Sequence, residues 1–136
     1  MWRILASAAL ICGLLTELSY GQTLDCRAPL RPMLAIDLLF GRGAGGLRVS
    51  ETAWAQFLAR EVTPRFPDGL TVFDASGQWR NPQGGAVLRE RSKVVMIVAP
   101  EQPPVQERLD AITASYKQRF QQQSVGIVIR AVCASF

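Results

Sequence analysis

Hydrophobic positions recur along this chain with two different periods, and the alternation between them predicts six elements. From Met33 to Phe40 the period is two: Leu34, Ile36, Leu38 and Phe40 fall on one face, and Met33, Ala35, Asp37 and Leu39 on the other, as in a strand. After the Gly-rich loop Gly41–Gly46 the period lengthens. Trp54, Phe57, Leu58 and Val62 form one stripe of a helix that starts after Ser50, a natural N-cap, has Glu51 in its first turn, and stops at Pro64 and Pro67. Leu70 to Ala75 is a second strand, continuing past a bulge at Ser76-Gly77 into Gln78-Trp79-Arg80. Asn81-Pro82-Gln83-Gly84-Gly85 is a turn, and Ala86 to Val98 is the returning strand. Pro104 then opens a second helix whose stripe is Val105, Leu109, Ile112, Tyr116 and Phe120. Ser124 to Ala134 is the last strand, with Val125, Ile127 and Ile129 on one face.

The order β-α-β-β-α-β predicts an α+β fold of the ferredoxin-like, split βαβ kind: an antiparallel four-stranded sheet with both helices on one face. The opposite face is expected to be polar in an isolated monomer. Here both parities of Val94 to Val98 are apolar, and Met33, Leu39, Val128 and Val132 point away from the core as well. A second apolar face predicts a cover, and a second copy of the chain packed sheet to sheet is the usual one; an ordinary patchy surface is the alternative.

The N-terminus changes the setting. Met1-Trp2-Arg3, an uncharged apolar run from Ile4 to Leu15, and small residues at Ser19 and Gly21 read as a secretory signal peptide over residues 1–21, cleaved after Gly21; an uncleaved anchor is the alternative. A lipoprotein signal fits less well, because Cys12 follows Ile11 rather than a small residue. Residues 22–136 then form one domain, exported to the periplasm or beyond, with no transmembrane helix left. In an oxidising compartment the two remaining cysteines, Cys26 and Cys133, read as one disulfide, with two free buried thiols as the alternative. The topology agrees: Cys26 precedes the first strand and Cys133 ends the last, which lie side by side and antiparallel.

Composition removes several classes of chemistry. With no histidine anywhere, Ser-His-Asp and Cys-His catalysis and histidine-bound metals are excluded. The Gly41–Gly46 loop lacks the Lys-Ser/Thr of a phosphate-binding loop, and the five aspartates are scattered, so neither a nucleotide loop nor a calcium site is expected. The net charge of +4 comes from dispersed arginines, which does not predict nucleic-acid binding. No cofactor, metal site or catalytic residue is predicted.

What remains is a set of binding candidates. Asp37 and Arg130 fall on neighbouring strands on the open face, either as a cross-strand ion pair or as the charged floor of a pocket. In the hairpin, pairing Asp74 with Ser92 and Gln78 with Leu88 gathers Asp74, Gln78, Arg80 and Ser92 on one face, with Phe73, Trp79 and Lys93 on the other. Hydrogen-bonding groups beside an indole suit a small polar ligand or a protein partner; plain hairpin decoration, with Trp79 packed on arginine stems, is the alternative.

At VSETAW, FLAREVTPRFPDGLTVFDASGQWR and SKVVMIV the chain resembles a bacterial family of small exported proteins, domain of unknown function 3574, over most of residues 26–136. The resemblance implies a single exported domain and no assigned activity. The expectation is therefore a non-enzymatic exported domain that binds a small ligand or an envelope partner, as a homodimer through the open sheet face. The alternatives are a cofactor-independent enzyme of the dimeric ferredoxin-like barrel type, using Asp37, Asp74, Arg80 and Arg130, and a structural envelope protein docking through the hairpin.

Overall fold

The computed structural model describes residues 24–43, 46–80 and 84–136. The signal peptide predicted at residues 1–21 and the first part of the predicted hairpin turn lie outside the described residues. The elements follow in the expected order: β1 (Arg31–Gly41), α1 (Glu51–Phe57, carried on as a π-helical turn Leu58–Val62), β2 (Thr71–Arg80), β3 (Val87–Ala99), α2 (Pro104–Phe120) and β4 (Gly126–Ala134). The strands form one antiparallel sheet in the order β2-β3-β1-β4. This is the ferredoxin-like α+β arrangement that the periodicities predict.

Each boundary has a local cause. The Ser50 hydroxyl accepts from the Ala53 N–H at 3.1 Å and satisfies one of the unpaired donors of the first turn. At its other end the helix widens by one residue, so that the Thr63 N–H reaches the Leu58 carbonyl, and Pro64 then stops it. Arg65 donates to the Glu61 carbonyl at 2.6 Å and so caps the turn that precedes the Pro67-Asp68-Gly69 corner.

The core lies between the helices and one sheet face. The whole predicted α2 stripe, Val105, Leu109, Ile112, Tyr116 and Phe120, is buried. Opposite it lie Ile36, Leu38 and Phe40 of β1 and Val95 and Ile97 of β3. Phe40, Trp54, Phe57, Tyr116 and Phe120 form an aromatic cluster with centroid separations of 4.7–6.3 Å, mostly edge to face. Such contacts add about 0.5–1.5 kcal/mol per pair beyond simple area burial. Tyr116 keeps one polar atom in this cluster, and its hydroxyl donates to the Gly41 carbonyl at 2.7 Å. Burial pushes the Tyr116 pKa far above its ordinary value, so the phenol stays neutral and remains a donor.

Two expectations about the hairpin are corrected. The β2–β3 ladder runs unbroken from Thr71↔Met96 to Arg80↔Val87, so there is no bulge at Ser76-Gly77. Gly77 serves close approach instead: a Cβ there would meet the Ser92 Oγ at 2.8 Å. The register also differs by one residue. Asp74 lies opposite Lys93, and Gln78 opposite Arg89, because the connection runs from Asn81 to Ala86 and is one residue longer than predicted. A slip of one reverses every facing relation between the strands. Asp74, Gln78 and Arg80 therefore share the helix side with Lys93, while Ser92 shares the open face with Phe73 and Trp79.

Cys26 and Cys133 are joined in a disulfide that closes a 107-residue separation and ties the N-terminal arm to β4. The chain-entropy model assigns a loop of that size roughly 4–5 kcal/mol. In urea unfolding followed by circular dichroism, the double variant Cys26→Ser/Cys133→Ser is expected to lose up to that amount with its secondary structure intact; a loss below about 1 kcal/mol would show that the arm contributes no such constraint.

Candidate functional site

The two sides of the β2–β3 hairpin carry different chemistry. On the helix side, four charged residues, from α1, β2, β3 and the exit of β1, form a continuous chain. Arg42, at the exit of β1, donates from Nη1 to Glu51 Oε1 at 2.5 Å, and from Nε and Nη2 to the Val49 carbonyl at 3.1 and 2.7 Å. Glu51 Oε2 lies 3.0 Å from Lys93 Nζ, which donates to Asp74 Oδ1 at 2.5 Å. The cations are the buried members and the carboxylates the exposed ones. Burying an unpaired ammonium would cost several kcal/mol, so Lys93 depends on having two carboxylates. The hydrogen bond from Arg42, and then that from Lys93, hold the Glu51 carboxyl below the usual glutamate range. The hydrogen bond to Asp74 raises the Lys93 ammonium above its ordinary value, against the opposing effect of burial.

On the open face the sheet hollows into a cleft of ≈ 270 Å³. Its floor is made of small residues and short side chains, among them Gly41, Ala75, Gly77, Ser92 and Gly126, with Leu39 and Val94 as apolar walls. Trp79 closes one side, and Glu90 fixes it: the indole Nε1 donates to Glu90 Oε1 at 3.1 Å, while Glu90 Oε2 accepts the Gly43 N–H at 2.9 Å. A Cβ on Gly41 would stand 2.5 Å from Glu90 Oε1, so any other residue there makes this carboxylate move. The Tyr116 hydroxyl holds the Gly41 carbonyl from the core side. The position of the indole is thus traceable, residue by residue, to the aromatic core.

The structure divides the predicted site residues into three groups. Trp79 and Ser92 line the cleft from the open face, and Gln78, whose place in the ladder is on the helix side, borders it. Asp37 and Arg130 lie on the same open face as an ion pair of 2.5 Å, outside the cleft. Asp74 and Arg80 belong to the other side of the hairpin, where Asp74 neutralises Lys93. Sequence reasoning passed over Glu90, which sits in the charged run Arg89-Glu90-Arg91. Its signal was present in the period of two, which places Glu90 on the face of Ser92 and Val94. Lys93, predicted to share a face with Trp79, is instead the hub of the ion-pair chain. Among the described residues, no group of three or more carboxylates, cysteines or histidines is placed to hold a metal ion.

Comparison with known proteins places the fold and leaves the site unassigned. A family model described as "Protein of unknown function (DUF3574)" matches residues 35–136. No curated protein matches the chain. Among solved structures, a phage SAM lyase in complex with S-methyl-5′-thioadenosine superposes with a TM-score of 0.59 at 14% identity, covering 75% of this chain and 90% of its own. The same lyase in its apo state gives 0.55 at 13%, covering 84% of this chain and 98% of its own. CutA from Synechococcus elongatus gives 0.52 at 14%, covering 79% and 86%. At these identities the likeness is one of fold.

Two tests address the two sides. Glu51 titrates below 4.5 in the folded protein, so its pairing contributes stability above pH 4.5 that is lost as the pH falls through the lower folded value. Lys93 titrates above 10.5, so its pairing is fully present below pH 10.5 and is lost as the pH rises past the higher folded value. Glu51→Gln is expected to lower the plateau between these limits and to flatten the acid limb of a urea-midpoint profile; an unchanged acid limb would remove Glu51 from the network. On the open face, Gly41→Ala is expected to push the Glu90 carboxylate aside, to cost no more than the Glu90 hydrogen bonds it breaks, about 0.5–1.5 kcal/mol each, and to change the Trp79 emission, which a passive indole would not show.

Proposed function

The chain belongs to that DUF3574 family, and we propose that it is an exported, non-enzymatic binding domain that works through its open sheet face. The observation that carries this reading is the composition of that face. Leu39, Phe73 and Val128 are 42%, 48% and 43% exposed on the side away from the helices, beside a cleft with an indole wall and a positioned carboxylate. Exposed apolar side chains of this size around a concave polar spot are typical of a recognition surface.

The cleft takes a small ligand. Its volume of ≈ 270 Å³ is at the lower end for small-molecule sites, and a planar group carrying N–H or O–H donors fits both the Trp79 face and the Glu90 carboxylate. The rest of the face takes a second copy of the chain, whose sheet covers Leu39, Phe73 and Val128 and closes the cleft from above. The disulfide between Cys26 and Cys133 supports an oxidising compartment. The enzyme alternative rests on a desolvated aspartate acting as base. Its candidates do not supply one, because Asp74 is 76% exposed beside Lys93 and Asp37 is paired with Arg130.

The test uses the chain without its first twenty-one residues. Sedimentation at micromolar concentration is expected to show a dimer that Leu39→Arg and Val128→Arg convert to a folded monomer. S-methyl-5′-thioadenosine is a suitable first probe, as its purine offers a flat face to the indole and an amine to the carboxylate. Binding that raises the melting temperature and disappears in Trp79→Ala supports the ligand site. A monomer whose melting temperature responds to neither this probe nor a panel of planar amines would overturn the proposal.

A further inference from the structure

Behind the hairpin, on the helix side, a second cleft of ≈ 640 Å³ opens between β3 and the segment that links β1 to α1. Its charged lining consists of Arg42, Arg48, Glu51, Arg89, Glu90 and Arg91. The pairs within it balance unevenly. Arg42 is held by the Val49 carbonyl and Glu51. Glu51 is shared with Lys93, and Glu90 accepts from Trp79 and Gly43 on the far side of the strand. Arg48, Arg89 and Arg91 are exposed, and their side chains make no hydrogen bond or ion pair among the described residues.

Three guanidinium groups around one hollow repel one another, and water and salt screen that repulsion only in part. A structure that spends its carboxylates on Arg42 and Lys93 and leaves these three uncompensated is arranged for an anion. The guanidinium fork fits a tetrahedral oxyanion in bidentate fashion, and a phosphate ester carries about −1.5 to −2 charge, against −1 for a carboxylate. The period of two places Arg89 and Arg91 on the same face of β3, and Arg48 comes from the loop that links β1 to α1, so all three border one hollow. The scattered distribution of arginines along the sequence conceals this, because Arg48 is brought to β3 only by the fold.

We propose that this cleft binds a phosphate-bearing ligand through Arg48, Arg89 and Arg91. The three arginines lie on the opposite side of β3 from Trp79, and among the described residues Glu90 is the one charged residue that borders both clefts. The phosphate belongs either to a soluble phosphorylated compound or to a lipid headgroup, and the chemistry of recognition is the same in both.

The experiment has two arms, both on the folded chain without residues 1–21. Inorganic pyrophosphate is titrated calorimetrically at low and moderate salt, and flotation is measured with phosphatidylcholine vesicles with and without phosphatidic acid. Each of Arg48→Ala, Arg89→Ala and Arg91→Ala is expected to weaken binding about tenfold, corresponding to the loss of one charge-assisted hydrogen bond, and Arg89→Lys by less. Arg60→Ala, which removes an exposed arginine outside the cleft, is expected to leave it unchanged. Pyrophosphate binding that follows this pattern supports a soluble ligand, and flotation alone that follows it supports a headgroup. Absence of both, or an equal effect of Arg60→Ala, overturns the proposal.

Discussion

The hydrogen bond from the Tyr116 hydroxyl to the Gly41 carbonyl is the contact on which most of the architecture depends. It is made at the edge of the aromatic cluster, at the point where β1 leaves the sheet, and it fixes the height of α2 over that exit. A phenol buried to this degree needs a partner, since an unsatisfied hydroxyl costs about 1–3 kcal/mol. A side chain at Gly41 would in turn displace the Glu90 carboxylate, which occupies that space. Glu90 orients Trp79 and ties down Gly43. Core packing and surface geometry are therefore a single continuous set of contacts, and the indole of the cleft is held by the same tyrosine that completes the hydrophobic core.

β3 divides the two surfaces. Its alternating side chains send Glu90, Ser92 and Val94 to the open face, and Arg89, Arg91 and Lys93 to the helix side. Toward Ala99 the helix-side residues become core, with Val95 and Ile97 fully covered. The strand thus changes from structural to interactive along its length, at the point where helix cover ends. Lys93 stands at this transition, buried like a core residue and balanced by carboxylates that reach in from α1 and β2.

How much of this was legible depends on the range of the interaction. The α2 stripe was readable because a helical period writes burial directly into spacing, and all five of its predicted residues are covered. The Asp37–Arg130 pair was readable because parity and strand adjacency suffice to find it. The hairpin register was not. Both parities of Val94 to Val98 are apolar, so hydrophobicity does not choose between them, and the choice falls to the length of the turn and to the partners of Lys93. Those partners, Glu51 and Asp74, come from separate elements and are ordinary surface residues in the linear sequence. Glu90 was hidden by its two arginine neighbours, which suggested an exposed charged run when its own parity pointed to the other face.

The pairing of β1 has a consequence for the order in which the molecule assembles. β1 is made first and occupies the interior of the sheet, between β3 and β4. Neither neighbour exists until most of the chain has been synthesised, and the last of them also carries Cys133, the mate of Cys26. Contacts so distant along the chain are slow to form, and the loop entropy is paid before they repay it. The sheet is therefore completed only by the last strand of the chain, and β1, its interior strand, lacks one of its two partners until β4 has been made.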